Sequence, residues 1–314
     1  MKKILAISYS QTGQLDEITD NFLTPLTNVD VDRIKYSPVI PFPFPWTSES
    51  FFQTMPESVL EKPCALNEIN YKYNQYDLII LAYQPWYLSP SIPTSSLLQN
   101  EDFLRLIKDT PVITLVGSRN MWINSQESVV RRIKDAGGKL IGNIPFIDRN
   151  QNQLSAITIL DWMLTGKKRK KYHLLPLPGI SDEDIKSATK FGLILDESIR
   201  ENNFQNLQSR FLELGLISIQ TDILFIEEKA KRIFKIWAVL IRKFGNKPKG
   251  RVLLVTAFKY YLFVALFFVA PIVVGLYQIL VAPLINKSIK KKKEYGLTHK
   301  RKKKLEEELR KLRH

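Results

Sequence analysis

The chain has 314 residues, 45% of them hydrophobic, enough to bury a large α/β core and leave a further segment over. Its net charge of +15 is unevenly spread: residues 229–314 hold 23 Lys/Arg against 4 Asp/Glu, while the preceding 228 residues carry 23 against 27. A single cysteine, Cys64, excludes an internal disulfide and a cysteine-rich metal site, and His173, His299 and His314 are too scattered for a ligand cluster, so no metal is expected.

After Met1-Lys2-Lys3, an apolar run over 4–8 predicts a strand that stops at Tyr9 and Ser10, too short for the core of a signal peptide. The body is therefore expected in the cytoplasm. A polar loop and a helical pattern over 15–22 follow. Residues 29–34 alternate apolar and polar as a half-buried second strand would, and the proline-aromatic segment 37–46 after them is expected to be irregular and extended. Residues 77–83 form a continuous apolar run, the pattern of a central strand covered on both faces. One helix is expected from Thr94 or Ser95 to Lys108, with Leu97, Leu98, Phe103, Leu104 and Ile107 on its apolar side. A fourth strand over 111–116, a helix opening at Ser125 and closing at Ala136-Gly137-Gly138, and a fifth strand over 139–144 complete the repeat. Strands alternating with helices in this way predict a doubly wound, five-stranded parallel sheet, with ligands beyond the carboxyl ends of strands one, three and four.

Further on, a helix is expected over 154–164, a solvated basic loop at 167–171, and a helix capped by Ser181 reaching about Glu201. The α/β domain with its helical additions is placed at 1–210. A basic amphipathic helical segment at 211–259, an apolar segment at 260–285 and a basic tail at 286–314 follow.

Ser10-Gln-Thr-Gly-Gln-Leu15 joins the first strand to the first helix and has the residue types of a phosphate cradle. Hydroxyls at Ser10 and Thr12 can donate, Gly13 permits close backbone approach, and free amides at the helix start stabilise an anion. Ser10, Thr12 and Gly13 resemble the flavodoxin phosphate loop, where Leu15 replaces the usual threonine and Gln11 and Gln14 fill the variable positions. No Gly-x-Gly-x-x-Gly and no Walker lysine is present. The resemblance implies a flavodoxin-like fold and FMN as cofactor, with the isoalloxazine ring held by the loops after strands three and four. In the first of these, Pro85, Trp86, Tyr87 and Leu88 are the candidates, with Trp86 and Tyr87 either stacking on the ring or covering the end of the sheet. In the second, Gly117, Ser118 and Trp122 are the candidates, while Arg119 is assigned to the surface.

Three longer strings, Tyr9-Ser-Gln-Thr-Gly-Gln-Leu15, Phe51-Phe-Gln-Thr-Met-Pro-Glu-Ser-Val59 and the stretch from Tyr76 to Pro93, resemble the bacterial dialkylresorcinol-forming aromatases. That resemblance implies an FMN-dependent oxidation of a lipophilic 2,5-dialkylcyclohexane-1,3-dione to a 2,5-dialkylresorcinol in the making of aryl-polyene or flexirubin-type pigment lipids. It also implies a ketosynthase-like cyclase as partner. Tyr83, Tyr87, Asp148 and His173 are weak candidates for a base, each better read as structural, and the catalytic residue stays unassigned. A membrane-tethered electron-transfer flavoprotein or a quinone-type reductase is the alternative.

Residues 260–285 contain no charged side chain, and as a helix rising about 1.5 Å per residue the run exceeds a hydrocarbon core of roughly 30 Å. Basic residues flank it on both sides: Arg242, Lys243, Lys247, Lys249, Arg251 and Lys259 before, Lys287, Lys290–Lys293 and Lys300–Lys304 after. Both flanks favour the cytoplasmic side, so a bend near Pro271 making a re-entrant hairpin is preferred slightly to a single span. The expected location is the cytoplasmic face of the inner membrane, with anionic lipid as partner and residues 223–243 lying on its surface. Nucleic acid is not expected to bind, because it has no use for a charge-free apolar run inside the basic segment.

Overall fold

The computed structural model describes residues 1–170, 175–217, 221–245 and 247–276, with side chains at all of these except 221–225. Lys171, His173, Pro283, His299, His314 and the lysine clusters from Lys287 onward lie outside the described residues.

Five strands form one parallel sheet: β1 (Lys2–Ser8), β2 (Val29–Lys35), β3 (Leu78–Tyr83), β4 (Pro111–Ser118) and β5 (Lys139–Ile147). The helices are α1 (Gln14–Leu23), α2 (Ser48–Gln53), α3 (Met55–Val59), α4 (Ile92–Leu97), α5 (Glu101–Ile107), α6 (Ile123–Asp135), α7 (Asn152–Thr165), α8 (Asp182–Arg200), α9 (Leu207–Glu213) and α10 (Thr221–Phe244). A last helix, α11, covers Pro248–Leu276. The spatial order is β2-β1-β3-β4-β5. This is the flavodoxin-like order, which reverses direction at β1 and opens a crevice between the carboxyl ends of β1 and β3. Ile4 pairs with Leu78 and Ser8 with Ala82, so the two strands end side by side at that crevice.

Alternation of side chains along each strand builds two cores. Leu5, Ile7, Ile79, Leu81 and Val112 face α4, α5 and α6, which supply Leu97, Phe103, Ile107, Val129 and Ile133. Ile4, Ala6, Leu78, Ile80, Ile113 and Leu115 face α1, α8 and α9, which supply Ile18, Phe22, Phe191, Leu195 and Phe211. All six residues of β3 are buried, and a fully buried Leu or Ile contributes about 1.5–3 kcal/mol, so this strand anchors both layers. Phe211 is fully buried, so the packed body continues past residue 210.

Two expectations fail here. The single helix from Thr94 or Ser95 to Lys108 is two helices. Asn100 leaves the helical region and its side chain accepts from the Phe103 amide at 3.0 Å, capping a new start, while Ser91 caps α4 three residues early. Nor does the chain reverse at Pro271. The helix continues through it to Leu276, after a π-helical turn over Ala265–Val269. An extra residue in the preceding turn accommodates the amide that proline lacks.

A third layer packs α10 and α11 against α2 and α3. Phe234, Ala238 and Ile241 of α10 and Val255 and Phe258 of α11 meet Phe52 and Met55. Arg251 clamps the layer, reaching Glu57 Oε2 at 2.8 Å and Gln53 Oε1 at 2.8 Å. Helix α11 is long and apolar enough to cross a membrane, with a mean hydropathy of 2.2 over its best window, of which only 11% is buried. Its outer residues include Leu253, 70% exposed, and Phe268, 67% exposed. A core helix of a soluble body would hide such side chains.

Candidate functional site

The loop Ser10–Gly13 leaves β1 and enters α1 at the crevice. Ser10 Oγ accepts from the amides of Gly13 at 3.1 Å and Leu15 at 3.3 Å, which closes the loop on itself and leaves the serine proton free to point outward. Gly13 has φ 88°, a left-handed conformation that suits glycine, and open space lies where a Cβ would stand. The Thr12 hydroxyl is half-buried in the same loop, where it can donate to a ligand. The first-turn amides of α1 and the positive end of its dipole complete a cradle for an anion.

The other loop residues are committed to the protein. Gln14 is buried and forms a two-point latch to Ile180, donating from Nε2 to its carbonyl at 2.8 Å and accepting its amide at 3.2 Å. Leu15 points into the core beside Gly117, where an added Cβ would stand 3.2 Å from its Cδ1. Gln11 ties the loop to its neighbours: its side chain donates to the Pro43 carbonyl at 3.0 Å and accepts the Tyr9 hydroxyl at 2.6 Å. The Gln11 amide donates to Gln84 Oε1 at 3.3 Å, joining the loops after β1 and β3.

That last contact leaves Gln84 Nε2 buried without a partner, and Asn120 Oδ1, in the loop after β4, is buried without one as well. An orphaned donor and an orphaned acceptor each cost about 1–3 kcal/mol when nothing meets them. Both stand in the loops that close the carboxyl end of the sheet. Ligand acceptors and donors of the kind the isoalloxazine edge of FMN carries would satisfy such groups, although Tyr71 Oη, Ser125 Oγ and Asn143 Nδ2 are also buried without partners elsewhere in the body. The residues therefore fit a flavin with a phosphate in the α1 cradle.

Trp86 sits at the crevice, half-buried among Tyr9, Phe42 and Trp46, with ring centroids at 6.1, 5.0 and 5.5 Å in edge-on arrangements. Pro85 lies beside it in a two-residue ladder opposite Pro90. Tyr87 and Leu88 point the other way, into the third layer, with Phe52, Met55 and Phe258. Gly117 and Ser118 end β4 at the crevice, and Ser118 Oγ donates to the Met121 carbonyl at 3.2 Å. Trp122 is 1% exposed and belongs to the core beneath α6. Arg119 is half-buried and held by its neighbours. Its Nη1 donates to the side chain and carbonyl of Asn152 at 2.7 and 2.9 Å, and burial lowers its pKa to about 10 against the opposing pull of Asp148.

The acid–base candidates are also committed. Tyr83 is fully buried, its hydroxyl donates to Gln126 Oε1 at 2.7 Å, and burial holds its pKa well above that of a free phenol. Asp148 accepts from Ser155 Oγ at 2.7 Å, the Asn150 amide at 2.9 Å and the Gly179 amide at 3.3 Å. Among the described residues no group of three His, Cys, Asp or Glu could hold a metal ion.

Several site residues carried no sequence signal of their own. Gln84, Arg119 and Asn120 stood inside recognised loops but matched no motif, and Phe42 and Trp46 reach Trp86 from a segment remote in sequence. A shallow depression lined by Lys2, Asn28, Asp77 and Arg200 lies at the opposite, amino end of the sheet and meets none of these residues.

No family model and no curated protein sequence matches the chain. It is similar to a flavoprotein in complex with FMN from Lactobacillus acidophilus NCFM, at 16% identity and a TM-score of 0.39, over 46% of this chain and 93% of that one. It is also similar to a flavodoxin from the domain Archaea, at 11% identity and a TM-score of 0.35, over 64% and 99% of the two chains. A third similar structure is oxidised flavodoxin 1 from Bacillus cereus, at 14% identity and a TM-score of 0.31, over 60% and 94%. The fold assignment rests on the strand order and parallel register of this chain's own sheet.

Proposed function

We propose that the protein is a membrane-associated, FMN-dependent oxidoreductase that aromatises a lipophilic 2,5-dialkylcyclohexane-1,3-dione to a 2,5-dialkylresorcinol. The observation that carries the cofactor reading is the pair of orphaned groups, Gln84 Nε2 and Asn120 Oδ1, in the loops beside the Ser10–Gly13 cradle. When bound, FMN would supply the two-electron acceptor that the oxidation needs.

The chain's own part is to bind and orient. Thr12, Ser10 and the amides at the start of α1 would hold the phosphate end, and Gln84 and Asn120 would hold the polar edge. Trp86, Phe42 and Trp46 exclude water from an apolar ring. Tyr83 and Asp148 are occupied by internal hydrogen bonds, so neither is assigned as the base; the acidic proton of the dione is lost to solvent before the ring is enclosed, and the carbonyls become the two phenols. Two electrons and two protons leave the ring in total.

The substrate class rests on the resemblance of three sequence strings to dialkylresorcinol-forming aromatases, and the apolar surface agrees with it. Val39 and Ile40 are 53% and 83% exposed in the segment that leads to Phe42, and α11 presents Leu253, Val264, Phe268 and Ile272 outward. An enzyme seated on the cytoplasmic face of the inner membrane meets a dialkyl ring where such a ring partitions. The exposed Lys235, Lys243 and Lys249 of α10 and α11 would add about 1 kcal/mol each through anionic headgroups. A ketosynthase-like cyclase would deliver the dione.

The test is an absorption spectrum of the full chain purified in detergent, with the released chromophore identified, before and after anaerobic addition of a dialkylcyclohexanedione. Bleaching of bound FMN with appearance of the resorcinol is expected. FMN that ignores the dione would point instead to electron transfer, and failure to retain or take up FMN would refute both flavin readings.

A further inference from the structure

The loop between β3 and α4 turns through Tyr87 and Leu88, whose φ angles are 48° and 63°. They connect Trp86 to Ser89, which pair across the two-residue antiparallel ladder. Positive φ at both central residues of a two-residue hairpin is the type I′ geometry, which Asn-Gly adopts readily and bulky residues avoid. Nothing in the local sequence favours it, so contacts from outside must hold it.

Those contacts are all in the helical layer. The Tyr87 ring lies 5.5 Å from Phe51, 6.3 Å from Phe258 and 6.5 Å from Phe234, and its hydroxyl donates to the Phe51 carbonyl at 2.8 Å. Leu88 is 8% exposed in the same cluster. Ser58, in α3, donates to the Trp86 carbonyl at 2.9 Å. On the crevice side, Gln84 closes the loop by accepting the Ser91 amide at 3.0 Å on its carbonyl.

We infer that Tyr87 is a positioning residue: docking of α10 and α11 holds the Tyr87–Leu88 turn in its left-handed form, and the turn sets Trp86 and Gln84 for the ligand. This inference rests on the reading of the crevice as a flavin site. Its consequence is that cofactor binding and seating of the apolar helices are linked, each favouring the other by the same factor.

The test uses the full chain in detergent micelles and the variant Phe258→Ala, which removes the ring beneath Tyr87. Amide hydrogen exchange across residues 84–91 is expected to speed up about tenfold, and FMN affinity to fall by a similar factor, as local opening competes with binding. Adding Tyr87→Asn and Leu88→Gly in that background supplies a turn that holds itself, and both readouts are expected to return to within about twofold of wild type. A layer needed only for folding would not be rescued by a better turn. Should Phe258→Ala not fold, the milder Phe258→Leu is read in the same way. Unchanged exchange, or faster exchange with unaltered FMN affinity, would overturn the inference. If the wild type binds no FMN, the flavin reading fails, and the exchange data with their rescue still decide whether the layer holds the turn.

Discussion

Glu227 on α10 offers a quantitative test of how the helical layer is attached. Its side chain is 1% exposed, and one carboxylate oxygen accepts the Asn124 amide at 2.7 Å. Helix α6 has no side-chain cap of its own, since Trp122 occupies that position, so Glu227 caps it from another element. Burial pushes the Glu227 pKa from 4.5 up to about 7, outweighing the opposing pull of the Asn124 and Ile123 amides, while Glu127 adds to the rise and Lys231 resists it. Because the folded value lies above the unfolded one, the folded chain holds an extra proton between pH 4.5 and about 7. Stability from this group is therefore greatest below that window and is lost as pH rises through it. At roughly 1.4 kcal/mol per pH unit, the loss across the window comes to about 3 kcal/mol. Glu227→Gln removes the titration and keeps the shape. Thermal unfolding of both proteins in a non-ionic detergent from pH 4.5 to 8 should show the stability difference shifting by about 3 kcal/mol in favour of the variant, roughly 6 °C in Tm. Parallel profiles would refute the reasoning and mean that the α6 amides hold the carboxylate ionised throughout.

Three further outcomes are expected. Gly179→Ala places a Cβ 2.5 Å from Gln14 Oε1 and 2.7 Å from Trp162, at a φ of 83°, so it should break the Gln14–Ile180 latch and lower stability by about 2–3 kcal/mol in urea unfolding. Trp86→Ala should weaken FMN binding about tenfold in a fluorescence titration, the loss of one aromatic contact worth roughly 1–1.5 kcal/mol. Phe268→Asp, at a position 67% exposed in the apolar helix, should shift the chain from anionic vesicles to the soluble fraction in a flotation assay. A charge there costs about 2.5–3.5 kcal/mol at the centre of a membrane helix, and the flavin spectrum should be unaltered.

The strands could be read from sequence because a continuous apolar run such as Leu78–Tyr83 has one stable destination, the middle of a sheet covered on both sides. The Ser10–Gly13 cradle was legible for a similar reason: its geometry follows from a strand meeting a helix through a glycine with positive φ. The break at Asn100 was not, since Leu97, Leu98, Phe103 and Ile107 keep a helical spacing across it, and only the cap geometry separates two helices from one. Gln84 and Asn120 were invisible for another reason. What marks them is an unmet hydrogen bond, and whether a buried amide is satisfied depends on neighbours from other loops: the Gln84 oxygen is taken by Gln11, from a segment 73 residues earlier.

Trp86 and Tyr87 show most clearly where sequence reasoning stops. Both are aromatic, adjacent and at the carboxyl end of β3, and by residue type either could stack on a flavin. The backbone separates them. Trp86 is in the ladder and faces the crevice, whereas the ring of Tyr87, where φ turns positive, packs across against Phe234 and Phe258. That choice cannot be made by the six residues around it, which disfavour the turn. It is made by helices about 150 to 170 residues further along, and one of them is the helix long and apolar enough to cross a membrane. A ring that reads as part of the ligand site is thus the part of the loop by which the rest of the chain holds that site in shape.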